Sequence, residues 1–299
     1  MSKSRFSRIP LLGAIAMTLL MATACGGGGG IDVGSGGTGI SGSVVKGPTA
    51  NATVIAYAVS AGQPGAQIGS ATTDANGNFT MAMASYTGPV MLQASAGTFR
   101  DEATGALMTM ASGDVMTAVL PSVATGTTVT GVQVTPVTSM AQTRAQQMAG
   151  GMTAANIAAA NTAMGNYFSV GDILHVQPMN PLVPGSGANA SPDALNYGMT
   201  LAAMSQYAKS LNMANTSALV TSMMSDASDG MMDGKKGSSP ISMSMGGMMG
   251  NSPMSPSAGT SGLAAAMTNF AASPANASGR TAADVAPLVQ KIAGSNGQI

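Results

Sequence analysis

The chain has 299 residues, eleven of them basic and eleven acidic, so its formal net charge is zero and only 7% of its side chains are charged. With no basic cluster beyond Lys235–Lys236, nucleic acid is excluded as an expected partner. A lone cysteine, Cys25, excludes any intrachain disulfide, and with no Trp, 40 Gly and 27 Met the fold has to be held by packing of mostly small or flexible side chains.

Residues 1–24 read as a secretory signal peptide. Lys3, Arg5 and Arg8 form a basic start, LLGAIAMTLLMA (11–22) an apolar stretch, and Thr23 and Ala24 a small-residue exit. The apolar stretch is shorter than the ~20 residues of a permanent span. ATAC (22–25) resembles the bacterial lipobox, with Ala22 where that pattern prefers Leu. The resemblance implies that Cys25 receives diacylglycerol and palmitate and becomes the first residue of the mature protein. GGGGG (26–30) and GSGGTG (34–39) have the composition of a flexible tether. Gly26 stands where lipoprotein sorting reads an Asp as an inner-membrane signal, so the expected location is the cell envelope, on the outer membrane.

From 40 to 135 the pattern is that of short strands. GISGSVVKG (39–47), NATVIAYAV (51–59), QIGSATTD (67–74), NFTMAMA (78–84) and GPVMLQASA (88–96) are separated by turns rich in Gly, Pro, Asp and Asn. Phe79, Met81 and Met83 alternate onto one face. NATVIAYAV is apolar on both faces, as a strand between two sheets would be. VMTAVLPSV (115–123) and TVTGVQVTP (128–136) add further strands, whereas Asp101 and Glu102, beside Arg100, read as a solvated turn. The spacing predicts a small all-β sandwich that folds on its own.

The same residues resemble the carboxypeptidase regulatory-like family of transthyretin-like sandwiches, most clearly in TTDANGNFT (72–80) and in the opening GSVV.G....ATV. The resemblance implies that Asp74 and Gly77 serve a turn, that Phe79 is a core residue, and that the module is structural or adhesive.

After Pro136 strand alternation stops. VTSMAQTRAQQMAG (137–150) and TAANIAAANTAMGNYF (153–168) favour helix, the second capped by Thr153. SPDALNYGMTLAAMSQYAKSLN (191–212) has Ser191 as cap, Pro192 at its first position and Asp193 at its positive end. NTSALVTSMMSDASDGMMDG (215–234) reads as a helix with a polar exit. VTPVTSMA (134–141), GMTAANIAAAN (151–161), ALNYGMTLAAMSQYA (194–208) and SDASDGMMDGK (225–235) resemble the C-terminal region of a broad group of bacterial lipoproteins. Residues 236–261 read as a low-complexity linker or disordered loop. Weak helices follow, the last broken near Pro287.

The predicted fold is therefore multidomain, a small all-β sandwich followed by a mainly α-helical region with disordered segments. Its parts are a signal peptide (1–24), a lipidated cysteine and tether (25–39), the sandwich (40–135), a helical domain (136–235), a linker (236–261) and C-terminal helices (262–299).

Chemistry is sparse. His175 is the only histidine, too few for a His-rich zinc site, and no G-x-S-x-G elbow, phosphate loop or dinucleotide loop occurs. No catalytic residue is assigned, and the chain reads as no enzyme. Asp226, Asp229 and Asp233, three and four residues apart, are candidate Ca²⁺ ligands. Their bland alternative is a helix end at Gly230 with solvated acids. The methionines are weighed as soft-metal ligands against flexible packing, with packing favoured. The expected function is a non-enzymatic cell-envelope lipoprotein, a structural or ligand- or protein-binding module. The alternatives are a glycan- or peptide-metabolising envelope enzyme and a calcium- or soft-metal-binding envelope protein. Expected partners are membrane lipid through the acyl anchor, and an envelope protein or glycan. No cofactor is expected beyond the candidate Ca²⁺.

Overall fold

Alternating apolar residues between Gly- and Asn-rich turns produce seven long strands. They are β1 (Thr38–Val44), β2 (Thr53–Ser60), β3 (Gln63–Thr72), β4 (Asn78–Met83), β5 (Gly88–Ser95), β8 (Val115–Val123) and β9 (Thr128–Val134). A small hairpin, β6 (Thr98–Arg100) with β7 (Leu107–Thr109), stands apart from them. The computed structural model describes residues 37–246 and 250–299, all within one compact unit.

The seven strands form one sheet in the order β8-β5-β2-β3-β4-β1-β9. Every pairing is antiparallel except β1 with β9. The sheet curls until its edge strands β8 and β9 approach each other without pairing, giving a near-closed barrel. This corrects the expected sandwich and, with it, the carboxypeptidase regulatory-like resemblance, which requires two facing sheets. The inward face carries Ile40, Val54, Phe79, Met81, Leu92 and Leu120. The apolar outward face meets helices instead of a second sheet: Val59, Met91 and Val119 pack on Ala145, Met152, Ile157 and Ala160.

Close backbone approach explains two glycines. A Cβ on Gly42 would lie 1.9 Å from the Val132 carbonyl oxygen across the β1–β9 pair. Gly77 has φ +81° in the β3–β4 turn, where Asp74 Oδ1 accepts 2.8 Å bonds from the backbone N–H groups of Asn76 and Asn78.

The helical half comprises α1 (Pro136–Gln147), α2 (Ala154–Phe168), α3 (Pro192–Ser210), α4 (Thr216–Ala227), α5 (Ser261–Ala271) and α6 (Ala282–Ala293). Thr135, Thr153, Ser191 and Asn215 cap the first four through side-chain oxygens. α3 is the central helix. Tyr197, Met199, Leu201 and Met204 on it are buried, and the Tyr197 hydroxyl bonds both Thr135 Oγ1 (2.7 Å) and the Ile173 carbonyl (3.0 Å). Pro287 does not break α6, which docks through Val285, Leu288 and Ile292.

Residues 236–246 and 250–261 are not a disordered linker. They include part of one short hairpin, β10 (Lys235–Lys236) with β11 (Ser239–Pro240), and all of a second, β12 (Ser242–Ser244) with β13 (Asn251–Pro253). Ile241, Met243, Met245 and Met254 from this stretch are buried in the helical core. Methionine's flexible thioether lets so irregular a segment fill that core.

Candidate functional site

The two free sheet edges define a seam, and each is partly occupied. On β8, alternate residues turn their backbone polar groups away from β5. The Thr117 N–H donates to Ser139 Oγ (2.8 Å), and its carbonyl accepts from Thr138 Oγ1 (2.8 Å). The Val119 carbonyl accepts from Asn161 Nδ2 of α2 (3.2 Å). Two residues on, where the β5–β8 register shifts, stands Pro121, which has no N–H to offer. On β9, the Gln133 N–H donates to the Leu174 carbonyl (2.8 Å), while Gln133 Nε2 donates to the Gly131 carbonyl (2.9 Å). Leu174 sends its side chain between the edges into the barrel core.

Beside this plug lies an open groove of about 400 Å³, bounded by Leu120–Ser122, Val129, Asn161, Thr162 and the loop 171–175. Asp172 organises that loop. Its Oδ1 accepts from the backbone N–H groups of Leu174 (2.9 Å) and His175 (3.1 Å), and its Oδ2 lies 2.8 Å from His175 Nδ1. Both side chains are about half exposed. Among the described residues no hydroxyl is hydrogen-bonded to the His175 ring, so no nucleophile–base pair is assembled there. Asn161 Oδ1 is buried without a hydrogen-bond partner.

A second polar cluster joins the barrel to α3. Lys46 Nζ lies 2.6 Å from Glu102 Oε2, donates to Ser205 Oγ (2.5 Å), and sits 5.9 Å from the centre of the Phe99 ring. Ser205 in turn donates to Glu102 (2.5 Å). Asp101 accepts from Thr216 Oγ1 (2.7 Å). Burial opposes the charge on Asp101, but the Lys46 ammonium and the hydroxyls of Thr216, Ser205 and Thr104 outweigh it and hold its carboxyl below the ordinary range. The solvated turn expected at Asp101 and Glu102 is thus corrected, since both are 1% exposed. The adjoining cavity, lined in part by Glu102, Gly198 and Leu201, encloses only about 50 Å³, little more than room for water. A lone Lys46 inside an otherwise apolar strand end was the available sequence signal.

The three candidate calcium ligands do not form a cage. Asp226 is fully buried, and its Oδ1 accepts from the backbone N–H groups of Asp233 (3.1 Å), Gly234 (2.8 Å) and Lys235 (3.2 Å). Burial pushes its carboxyl up to about 7 against those donors, and neighbouring Asp233 adds to the rise. Asp229 accepts from Met231 and Gly237, and Asp233 from Lys235, each bonding backbone N–H groups. Among the described residues no group of three or more His, Cys, Asp or Glu side chains is placed to hold a metal ion. The acids instead tie the α4 exit to the β10 loop. Met243, Met245 and Met254, weighed as soft-metal ligands, are core residues, while Met248 and Met249 lie outside the described residues. Cys25 also lies outside them. Phe79 is buried in the barrel.

No family model and no curated protein matches the chain. Among solved structures, a 9R-lipoxygenase from Cyanothece PCC8801 is similar over 34% of this chain and 16% of that one, at 14% identity and a TM-score of 0.23. So slight a likeness carries no argument about fold or activity.

Proposed function

We propose that the chain is a non-enzymatic cell-envelope protein, held at a membrane by acyl chains on Cys25, whose folded body is a ligand-binding module. The observation that carries the binding reading is the seam groove, an open recess of about 400 Å³ whose wall sets Ser122, Thr162 and His175 around apolar Leu120, Pro121 and Val129. The internal polar clusters support the same view. Lys46, Glu102 and Asp226 are spent on joining elements and are shut away from solvent. The tether reading is supported by the basic, apolar and small-residue order of 1–25 and the Gly-rich stretch after it. Among the described residues no helix is long and apolar enough to cross a membrane.

The tether is tested by labelling expressing cells with an alkyne-bearing palmitate and fractionating them. Wild-type protein should carry label and sediment with membranes, and Cys25→Ser should lose both. Unlabelled wild-type protein in the soluble fraction would overturn the reading.

A further inference from the structure

We propose that a second open groove, between α3 and α6, binds an organic monocarboxylate with an apolar body, its carboxylate held by Lys291. This groove shares no residue with the seam and encloses about 520 Å³, within the about 300–1,000 Å³ of small-molecule sites. Asp284, Pro287, Leu288 and Lys291 recur at three- and four-residue steps, so one side of α6 forms a wall. The charges along it are unbalanced. Arg280 Nη1 meets Asp284 Oδ1 at 3.3 Å, and its Nε and Nη2 donate to the Gly187 carbonyl, so that pair is closed on itself. Lys291 has no such partner. Its Nζ donates to Ser169 Oγ (3.0 Å) and to the Asn166 carbonyl in the last turn of α2, and among the described residues no carboxylate lies within 4 Å of it. Capping α2 explains why a cation stands there. It still leaves the side chain exposed, with one of three ammonium donors unused and the charge unanswered. Those two bonds fix the ammonium beside Ser169, which itself lines the groove.

The rest of the wall decides among ligand classes. Exposed Pro192 and Pro287 line it with half-buried Ala190. Asp193 does not line it and instead accepts from the Gly171 N–H (2.7 Å). A cationic ligand would be repelled by Lys291. A multiply charged anion would find one unpaired ammonium and then apolar surface in place of further donors. A neutral apolar ligand would leave the ammonium unanswered. A single carboxylate on an apolar chain meets both the charge and the apolar wall.

The full chain is titrated calorimetrically with hexanoate and, in parallel, with hexanol, hexylammonium, acetate and inorganic phosphate. Hexanoate should saturate at millimolar concentration. Hexanol, which lacks the charge, and acetate, which lacks the chain, should each bind about tenfold more weakly, and hexylammonium should not bind. Lys291→Gln should weaken hexanoate about tenfold, the loss of one hydrogen bond to a charged group, and Lys291→Arg should retain most of the binding. Pro192→Glu places an acid at the exposed first position of α3, where it suits the helix dipole. It should weaken hexanoate to a similar degree without lowering the melting temperature, which separates lost binding from an uncapped α2 in Lys291→Gln. No saturation by hexanoate up to about 50 mM, at the weak end of the affinity scale, overturns the assignment. So does hexanol binding as tightly as hexanoate, or hexanoate binding that Pro192→Glu leaves intact. Phosphate binding more tightly than hexanoate overturns the apolar body.

Discussion

Lys46 is the only basic residue between Arg8 and Arg100, and it is 1% exposed. Its ammonium is neutralised by Glu102 and bonded by Ser205, so three stretches of chain meet at one charge pair. Breaking a buried pair by removing one partner leaves an uncompensated charge and costs about 3–5 kcal/mol. Lys46→Met or Glu102→Gln should each lower unfolding free energy by that order in urea titrations, whereas Lys46→Met with Glu102→Leu should recover most of the loss. A single-variant cost below about 1 kcal/mol, the range of an exposed pair, would show the pair to be solvated. Asp226 predicts a pH effect of defined sign. Its carboxyl is raised from 3.8 to about 7, so between those values the folded state binds more protons than the unfolded one. Its contribution is therefore full below about pH 4 and falls as pH climbs to about 7. In Asp226→Asn the amide oxygen can keep the three backbone bonds but does not titrate. The variant's melting temperature should decline less than the wild type's between pH 4.5 and 7.5, and parallel profiles would show that Asp226 titrates as an exposed acid.

Strand and helix positions were largely legible at the level of elements, because period-two and helical patterns each depend on near neighbours. The segment NFTMAM, alternating exposed and buried, is β4, and the caps Thr153 and Ser191 are where their side chains predicted. What covers each element was not legible. NATVIAYAV is apolar on both faces whether its outer face meets a sheet or a helix, and periodicity is the same in both cases. The outer face met α1 and α2, so the sandwich became a near-closed barrel. Composition misled at 236–261, where Met, Ser, Gly and Pro looked like a linker but three methionines are buried. Pro121 within VMTAVLPSV was a readable mark of an edge strand, since proline is tolerated where the ladder ends. The groove beside it was not readable, because it also needs Asn161 and the 171–175 loop, which come from distant sequence.

On the scale of the whole molecule, the barrel depends on parts that follow it in the chain. Its β8 edge accepts a hydrogen bond from Thr138 Oγ1 and donates one to Ser139 Oγ at the start of α1. Its seam is filled by Leu174, and its outer face is covered by Met152, Ile157 and Ala160. Lys46 next to β1 finds its hydroxyl partner Ser205 on α3. A fragment of residues 37–135 would therefore expose Val119, Met91 and Val59 to water, open the barrel at β8 and β9, and leave Lys46 and Glu102 without Ser205. Exposed apolar patches and unpaired edges favour association over a unique fold. The fragment should show strand by circular dichroism but melt without a cooperative transition and bind a hydrophobic dye. The full chain should unfold in one transition whose calorimetric and van't Hoff enthalpies agree, the mark of a single cooperative unit. A fragment that melts cooperatively and stays monomeric would restore the independently folding β-domain that the short-strand pattern predicts. It would also mean that the contacts to α1, α2 and Leu174 add little to the stability of the barrel.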